Sequence, residues 1–283
     1  MSGLLFESLE LRDFGPFRGK QEVLLGTDAD RNVVLFEGGN AQGKTLFSLA
    51  LKFLVFGNEI PEFARTEYFG IDSLLYMYSK FDYFHVKAKV KFEGEKFELK
   101  RAYNTRIGKE QVHLEVKTAS KSQDELQFNP KLMFFNNERT DLNKMMENFS
   151  DEEKVSAFKR ASELYKEFQK KEANIPFTQS KQLLKQRGNH MKLSIRERQL
   201  FRLCHFLTLN KKETQPIILD TPLRIIDEQN ANTLRKHLAK RKHQTILLEI
   251  GQTEHIRTYT NIKHKYQLKP TREKSVSIIR RNK

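Results

Sequence analysis

The sequence has 283 residues, 38% of them hydrophobic and 31% charged, which is an ordinary globular composition with enough apolar residues for one large domain or two modest ones. Its formal net charge of +15 and pI near 9.7 favour a polyanionic partner, such as nucleic acid or an acidic membrane surface, although a lysine-rich solvated face would give the same excess. A single cysteine, Cys204, excludes a disulfide framework, and without a long apolar run or a signal-peptide pattern we expect a cytoplasmic protein that does not cross a membrane.

The N-terminal part of the chain predicts three strands and a helix. Residues 4–14 partly alternate apolar and polar side chains, as a half-buried strand does, and residues 20–25 predict its partner after a Gly-Pro break. Residues 32–37 form a short β-branched apolar run, which is typical of a buried strand. Residues 44–56 have apolar side chains at helical spacing, and Gly57 suits the end of that helix.

The middle of the chain predicts a hairpin, two short strands and a capped helix. Residues 84–103 alternate on both sides of a Glu-Gly-Glu turn, and residues 111–117 and 131–135 predict further strands. Ser150 and Glu153 form a capping-box pattern at the start of a helix. The predicted apolar stripe of that helix consists of Val155, Phe158, Ala161, Leu164 and Phe168.

The C-terminal part predicts two helices and two buried strands, followed by a basic segment. Residues 197–209 and 227–240 have helical patterns, and residues 216–220 and 244–248 are apolar runs typical of core strands. Residues 257–283 are rich in lysine and arginine, with one glutamate opposing them. We interpret this last segment as a basic tail.

The strongest motif is Gly-Gly-Asn-Ala-Gln-Gly-Lys-Thr at residues 38–45, which matches the phosphate-loop pattern G-x-x-x-x-G-K-[ST] between a predicted strand and a predicted helix. Glycines such as Gly38 and Gly43 let the backbone turn its amides inward around an anion, and the helix N-terminus adds partial positive charge. In this chemistry Lys44 reaches the β- and γ-phosphates, and the Thr45 hydroxyl holds Mg²⁺. The motif therefore predicts ATP and Mg²⁺ as cofactors.

Two further segments complete a nucleotide site by their order in the chain. An apolar run ends at Asp220, which is the pattern of a Walker B strand that delivers a carboxylate to the Mg²⁺ shell. Upstream of it, Ser194 and Glu197 form a helix N-cap pattern. The three motifs follow the order of ATP-binding-cassette heads, in which a signature serine at a helix start contacts ATP held by a second subunit. Without that context the serine pattern indicates a helix cap and nothing more.

The whole chain resembles the head domains of the SMC, RecF and double-strand-break-repair class of ATPases, and it is most similar to the DndD family, the ATPases of bacterial DNA phosphorothioate modification. The matching segments, in family order, are residues 9–19, 35–45, 134–139, 193–200, 219–227 and 244–248. The resemblance implies an α/β P-loop NTPase of the ABC/SMC head type, with a mixed sheet core, an antiparallel β subdomain and a short helical insertion. It also implies an N-terminal lobe at 1–149, the insertion at 150–190 and a C-terminal lobe at 191–283.

The same resemblance implies roles for individual residues. Arg12 and Arg18 would lie near the nucleotide, Asn40 would lie in the phosphate loop, and Asp227 would fall in a segment that crosses a dimer interface. Two heads would enclose two ATP molecules, each completed by Ser194 of the opposite head. The implied partners are a second copy of the chain, DNA, and other DNA-modification or defence proteins.

Four departures from the family pattern bear on activity. A short helical pair replaces the long coiled coil between the two halves of the head, and Arg196 stands where the signature has glycine. Thr221 follows Asp220 at the position where many cassette ATPases carry the glutamate that orients the attacking water. DndD-like proteins resemble this chain at that position. We therefore expect Asp220 and Thr221 to form the catalytic centre of a slow ATPase. No switch histidine follows the last core strand, and we interpret His255 as a surface residue. The usual glutamine loop has no clear counterpart.

Two functional hypotheses follow from the sequence. The first is an ATP-driven dimerising head that acts on DNA in sulfur modification or anti-phage defence. The second is a non-hydrolysing nucleotide-dependent switch or scaffold that recruits partner enzymes, which Thr221 and Arg196 favour. A RecF-like DNA-repair ATPase is a further alternative. A transporter ATPase is disfavoured, because the hairpin at 84–103 and the Phe-Gly-Pro-Phe segment at 14–17 are not transporter features.

Overall fold

The computed structural model describes two β-sheets and the helices that cover them. The described residues are 3–57, 83–92, 94–104, 109–115, 133–136, 146, 149–169, 194–210, 215–222, 228–250, 261–271 and 275–281. One sheet is antiparallel and the other is mixed, and helices pack on both faces of the mixed sheet. This arrangement confirms the predicted α/β fold class with an antiparallel β subdomain.

The antiparallel sheet has five strands. They are β1 (Leu4–Phe14), β2 (Phe17–Leu24), β4 (Tyr83–Phe92), β5 (Glu95–Asn104) and β6 (Lys109–Glu115), in the order β2-β1-β4-β5-β6. The predicted first strand and the predicted hairpin are both confirmed. Strand β2 begins earlier than predicted, at Phe17. The Gly-Pro pair does not end the pairing, because Gly15, with φ of 56°, closes a two-residue turn across which Phe14 pairs with Phe17.

The mixed sheet has six strands. They are β3 (Val33–Gly38), β7 (Phe134–Asn136), β8 (Ile217–Asp220), β9 (Thr245–Ile250), β10 (Ile262–Pro270) and β11 (Val276–Arg281), in the order β11-β10-β3-β9-β8-β7. Every neighbouring pair is parallel except β10 and β11. The predicted core strands β3, β8 and β9 are confirmed.

The interpretation of residues 257–283 as a basic tail is wrong for the part that the structure describes. Strands β10 and β11 are built into the mixed sheet, with β10 directly beside β3. The side chains of Ile262, Tyr266 and Leu268 are buried, whereas Lys263 and Lys265 alternate with the buried positions and form ion pairs with Asp28 and Glu37. The lysines hide the alternation of buried and solvent-facing residues that is typical of a strand.

Four helices lie in the described ranges. They are α1 (Lys44–Phe56), α2 (Asp151–Gln169), α3 (Ile195–Leu209) and α4 (Glu228–Ala239). Helix α1 packs on the face of the mixed sheet that carries Phe36, Ile218 and Leu248, and α2, α3 and α4 pack on the opposite face. None of the helices in these ranges is long and apolar enough to cross a membrane.

Helix α2 begins at the predicted capping box. The Ser150 N–H donates to the Glu153 carboxylate at 2.8 Å, and the Glu153 N–H donates to the Ser150 hydroxyl at 3.2 Å. The predicted stripe is confirmed except at Val155, which is 42% exposed. Helix α2 meets α3 through Phe158 and Phe201, whose ring centroids are 5.1 Å apart, and Val155 precedes that contact. The insertion beyond Gln169 lies outside the described residues.

Three polar side chains join the two sheets. The Gln244 amide pairs with the Phe6 backbone, accepting from N–H at 3.0 Å and donating to C=O at 2.9 Å. The Gln21 amide links β2 to β11 in a similar way, donating to Val276 C=O at 2.8 Å and accepting from Ile278 N–H at 2.8 Å. The Tyr266 hydroxyl accepts from the Leu24 N–H at 2.8 Å. These contacts give the antiparallel sheet a fixed position beside the mixed one.

Candidate nucleotide-binding site

The phosphate loop connects the C-terminal end of β3 to the N-terminus of α1, as the motif predicts. Gly43 is the N-cap residue of α1, with φ of 86°. Any residue with a side chain would strain the backbone at this position. Lys44 is buried, and its Nζ donates to the carbonyls of Gly38 at 2.8 Å and Gly39 at 2.6 Å. The ammonium group therefore lies over the loop, next to the N-terminus of α1, where an anion is stabilised.

A tight turn forms the first half of the loop. The Gln42 N–H donates to the Gly39 C=O at 3.3 Å, and the Gln42 side-chain oxygen accepts from the Gly39 N–H at 2.5 Å. Ala41, the third residue of this turn, has φ of 60°, as the third residue of a type II turn requires. Asn40 is exposed at its tip. Sequence reasoning missed Gln42, because the motif leaves its position open.

The outer side of the loop is packed against strands from both ends of the chain. A Cβ atom added to Gly38 would lie 3.1 Å from Cβ of Leu268, and one added to Gly43 would lie 3.3 Å from Cζ of Phe17. A Val276 methyl group would be 3.5 Å from the same added atom. Glycine at these positions therefore lets the loop backbone lie directly on its supporting side chains.

Asp220 lies at the end of β8, on the same edge of the mixed sheet as the phosphate loop. Its neighbour two residues earlier, Ile218, belongs to the apolar cluster around α1, so the alternation of β8 places Asp220 on the α1 face as well. Asp220 is 2% exposed, and Thr45 is in the first turn of α1. A hydroxyl and a carboxylate at neighbouring element ends are oxygen donors of the kind that Mg²⁺ takes. The donor set fits the predicted cation.

Thr221 has an unusual backbone conformation directly after Asp220. Its φ is 49°, in the left-handed region that β-branched residues avoid, at a cost of about 1 to 2 kcal/mol. Its N–H donates to the Leu248 C=O at 2.8 Å, which fixes it beside the end of β9. Such strain is concentrated at functional sites, where the surrounding structure enforces it.

The other predicted site residues have different surroundings. Arg18 is half-buried and follows Phe17, whose ring lies against Gly43. Arg12 is exposed on β1, where it pairs across the sheet with Lys20 and His85, and within the described ranges its side chain makes no hydrogen bond or ion pair. Arg18 is thus next in sequence to a residue that contacts the phosphate loop, and within the described residues no contact joins Arg12 to the loop. Asp227 and His255 lie outside the described residues.

Ser194 is exposed at the N-terminus of α3. Its hydroxyl accepts from the Glu197 N–H at 3.3 Å, and its own N–H donates to the Glu197 carboxylate at 2.7 Å, so the capping box is confirmed. Helix α3 packs on the face of the mixed sheet opposite α1. Next to the serine, Ile195 is 66% exposed. Ser194 and Lys44 are thus on helices that the sheet separates.

A cluster of charges lies on the outer face of the antiparallel sheet. Glu10 accepts from His85 at 3.0 Å and contacts Lys20 at 3.1 Å and Lys87 at 3.6 Å. Burial raises the pKa of Glu10, but the hydrogen bonds from His85 and Lys20 and the charge of Lys87 outweigh it and lower this pKa to about 2. The carboxylate stays ionised and holds the surrounding cations in place.

The fold is similar to that of solved SMC heads. The SMC head domain from Thermotoga maritima has a TM-score of 0.58 and 15% sequence identity, and the match covers 99% of this chain and 100% of that one. An SMC head bound to the C-terminal winged-helix domain of ScpA has a TM-score of 0.66 and 14% identity, covering 98% of both chains. An SMC head with an extended coiled coil, bound to the C-terminal domain of ScpA and derived from Pyrococcus furiosus, has a TM-score of 0.62 and 13% identity, covering 99% and 96%.

The likeness extends over nearly the whole of each chain and includes both sheets. No protein-family profile and no curated protein matches the sequence. Sequence identities of 13% to 15% show a shared fold. The chain has the fold of an SMC head domain.

Proposed function

We propose that the chain is an ATP-hydrolysing head that pairs with a second copy around ATP and acts on DNA, in DNA sulfur modification or anti-phage defence. The observation that carries the proposal is that the phosphate loop, Lys44, Thr45 and Asp220 occupy one edge and one face of the mixed sheet. The SMC head fold supports it, and the DndD-like segments of the sequence favour the sulfur-modification role.

In this proposal each part of the site has a separate task. The loop amides and Lys44 bind and orient the phosphates, and Thr45 and Asp220 hold the Mg²⁺ ion. A Mg²⁺ ion held by these residues would supply positive charge to the phosphates. Thr221, fixed beside Asp220, contributes its hydroxyl to the region of the attacking water, and a hydroxyl in place of a carboxylate predicts slow turnover.

The position of Ser194 supports the proposed pairing of two heads. Because the mixed sheet separates α3 from α1, the serine of one chain is not placed to complete the phosphate loop of the same chain. A second copy would bring its exposed α3 N-terminus to that loop, and the exposed Ile195 would be covered in the same contact. The interface would be self-complementary, with two equal sites.

Replacing Ser194 with arginine should leave ATP binding by the single chain unchanged and weaken ATP-dependent pairing at least tenfold, or about 1.4 kcal/mol. The bulky cation would occupy the space that the opposite head's phosphate enters. Sedimentation velocity with Mg²⁺ and a slowly hydrolysed ATP analogue measures the pairing. Ser156→Arg, at an exposed serine on α2, is the control for the added charge. Undiminished pairing of the Ser194 variant would contradict the assignment of the signature serine.

The proposed DNA surface is the outer basic face of the antiparallel sheet, formed by Arg12, Lys20, Lys87, Lys89 and Lys100. Strand register places all five on one face, because Arg12 pairs with Lys20 and His85, and Lys87 pairs with Lys100. Lys20 and Lys87 are held by Glu10. Arg12, Lys89 and Lys100 make no ion pair within the described ranges. Three uncommitted cations on a flat face suit the evenly spaced phosphates of a duplex.

Replacing both Lys89 and Lys100 with alanine should remove about two phosphate contacts from the complex with duplex DNA. The slope of log K against log salt should then become smaller in magnitude by about 2. Fluorescence anisotropy with a labelled duplex between low and moderate salt measures the slope. A Lys240→Ala, Lys242→Ala variant, in the connection after α4, is the control with the same charge change. An equal loss in the control, or an unchanged slope in the test variant, would argue against this surface.

The alternative function, a non-hydrolysing nucleotide switch or scaffold, is favoured by the strained Thr221 and the exposed Arg196 in the signature helix. Phosphate release separates the two functions. The proposed ATPase should release phosphate with Mg²⁺ at a rate that DNA changes. Tight ATP binding without phosphate release, with DNA and partner proteins present, would establish the switch instead.

A further inference from the structure

Gln42 lies inside the phosphate loop at a position that the loop motif does not specify. Its side-chain oxygen accepts from the Gly39 N–H at 2.5 Å, and its backbone N–H donates to the Gly39 C=O at 3.3 Å. The two bonds join the same two residues in opposite directions. The side chain also lies directly on the Gly39 backbone, since a Cβ atom added there would be 3.1 Å from Cδ of Gln42.

These contacts restrain the part of the loop that has the greatest intrinsic backbone freedom. Glycine has the greatest backbone freedom of any residue, and the first half of the loop contains two glycines in succession. Ala41 is held at φ of 60°, a conformation that costs an alanine about 1 kcal/mol or more. A turn with this strain and this freedom needs an added restraint, and the Gln42 amide supplies it from within the loop.

We propose that Gln42 is a positioning residue for the triphosphate, which keeps the Gly39–Gln42 turn in the shape that receives phosphate. This inference rests on the proposed nucleotide-binding function. The Gln42 amide closes the Gly39–Gln42 turn, while Leu268, Phe17 and Val276 pack against Gly38 and Gly43. The entropy cost of ordering the Gly39–Gln42 turn is met when the chain folds. It therefore does not reduce the free energy of ATP binding.

The test is a double-mutant cycle between residues 42 and 39. Gln42→Ala should weaken Mg²⁺–ATP binding about tenfold, or about 1.4 kcal/mol, in titration calorimetry. Gly39→Pro removes the N–H that Gln42 accepts from, and its ring also moves the Gln42 side chain off the turn, because a Cβ atom at Gly39 would lie 3.1 Å from Cδ of Gln42. In the Gly39→Pro background, Gln42→Ala should change ATP affinity less than about twofold.

A direct contact between Gln42 and the nucleotide would give a different result. It would make the loss on Gln42→Ala equal in both backgrounds, and this outcome overturns the positioning role. Equal affinity of Gln42→Ala and the unchanged chain overturns it as well. Gln199→Ala on α3, a glutamine outside the loop, is the matched control and should bind ATP normally.

A measurement without ATP separates this inference from the proposed function. Amide hydrogen exchange of the loop should be faster in Gln42→Ala than in the unchanged chain, and normal again when Gly39→Pro is added. If the unchanged chain binds no ATP, the proposed function is wrong, and the exchange result still decides whether Gln42 holds the turn. Unchanged exchange at residues 39–44 would overturn the inference on its own.

Discussion

Replacing Lys44 with alanine is expected to lower the affinity for Mg²⁺–ATP by about 100-fold, or about 3 kcal/mol, because the variant loses a buried ammonium group and its charge-assisted bonds to phosphate. The Lys44 Nζ already lies over the loop, bonded to the Gly38 and Gly39 carbonyls. When a triphosphate binds, its oxygens are stronger acceptors than those carbonyls. Titration calorimetry or displacement of a fluorescent nucleotide measures the loss.

The Lys44 result needs two controls. Lys240→Ala removes an exposed lysine after α4 and should bind ATP like the unchanged chain. Lys44→Ala also removes two hydrogen bonds within the loop, so urea unfolding without ATP checks that the variant is folded. A folded Lys44→Ala chain that binds ATP within threefold of the unchanged chain would contradict the proposed nucleotide site.

His205 makes the free energy of unfolding depend on pH. Acid lowers that free energy, and replacing His205 is expected to remove about 3 kcal/mol of this loss. His205 lies on α3 with 0% exposure, against the rings of Phe158 and Phe201. Within the described residues neither ring nitrogen has a hydrogen-bond partner. Burial lowers the pKa of His205 to about 4. The unfolded chain, with a histidine pKa near 6.5, therefore takes up the proton first as the pH falls.

The sign of the effect follows from that order of protonation. The stability from neutral His205 is complete above pH 6.5 and is lost as the pH falls from about 6.5 to about 4, by about 3 kcal/mol. Urea unfolding at several pH values should show this loss in the unchanged chain and not in His205→Leu. His243→Leu, which removes a half-buried histidine, is the control and should keep most of the pH dependence. Parallel curves for His205→Leu and the unchanged chain would contradict a buried neutral imidazole.

Local sequence signals predict the elements that form the centre of the site. The phosphate loop, α1 and the β4–β5 hairpin are each specified by neighbouring residues: the glycines around Lys44, the helical spacing up to Gly57, and an alternating pattern on both sides of Gly94. The capping boxes at Ser150 and Ser194 are equally local. For such elements the pattern and the final structure depend on the same few residues.

Contacts between distant segments are not predictable in this way. Strands β10 and β11 escape prediction because their exposed positions carry lysine and arginine, and because the pairing partner of β10 is β3, near the other end of the chain. Gln244 and Gln21 lie in segments that the sequence predicts as strands, but only the fold shows that the side chain of each bonds to the backbone of the opposite sheet. The strain at Thr221 is likewise invisible until the Leu248 carbonyl is placed beside it.

The strand order of the mixed sheet has a consequence for how the protein is made. Strand β3, which leads into the phosphate loop, is flanked by β9 and β10, and both come from the last part of the chain. During synthesis the ribosome therefore releases β3 long before either neighbour exists, and its unpaired apolar edges must wait for almost the entire polypeptide. The sheet edge that carries the phosphate loop is complete only when the last strands have emerged, so this part of the fold forms late and through contacts between distant segments.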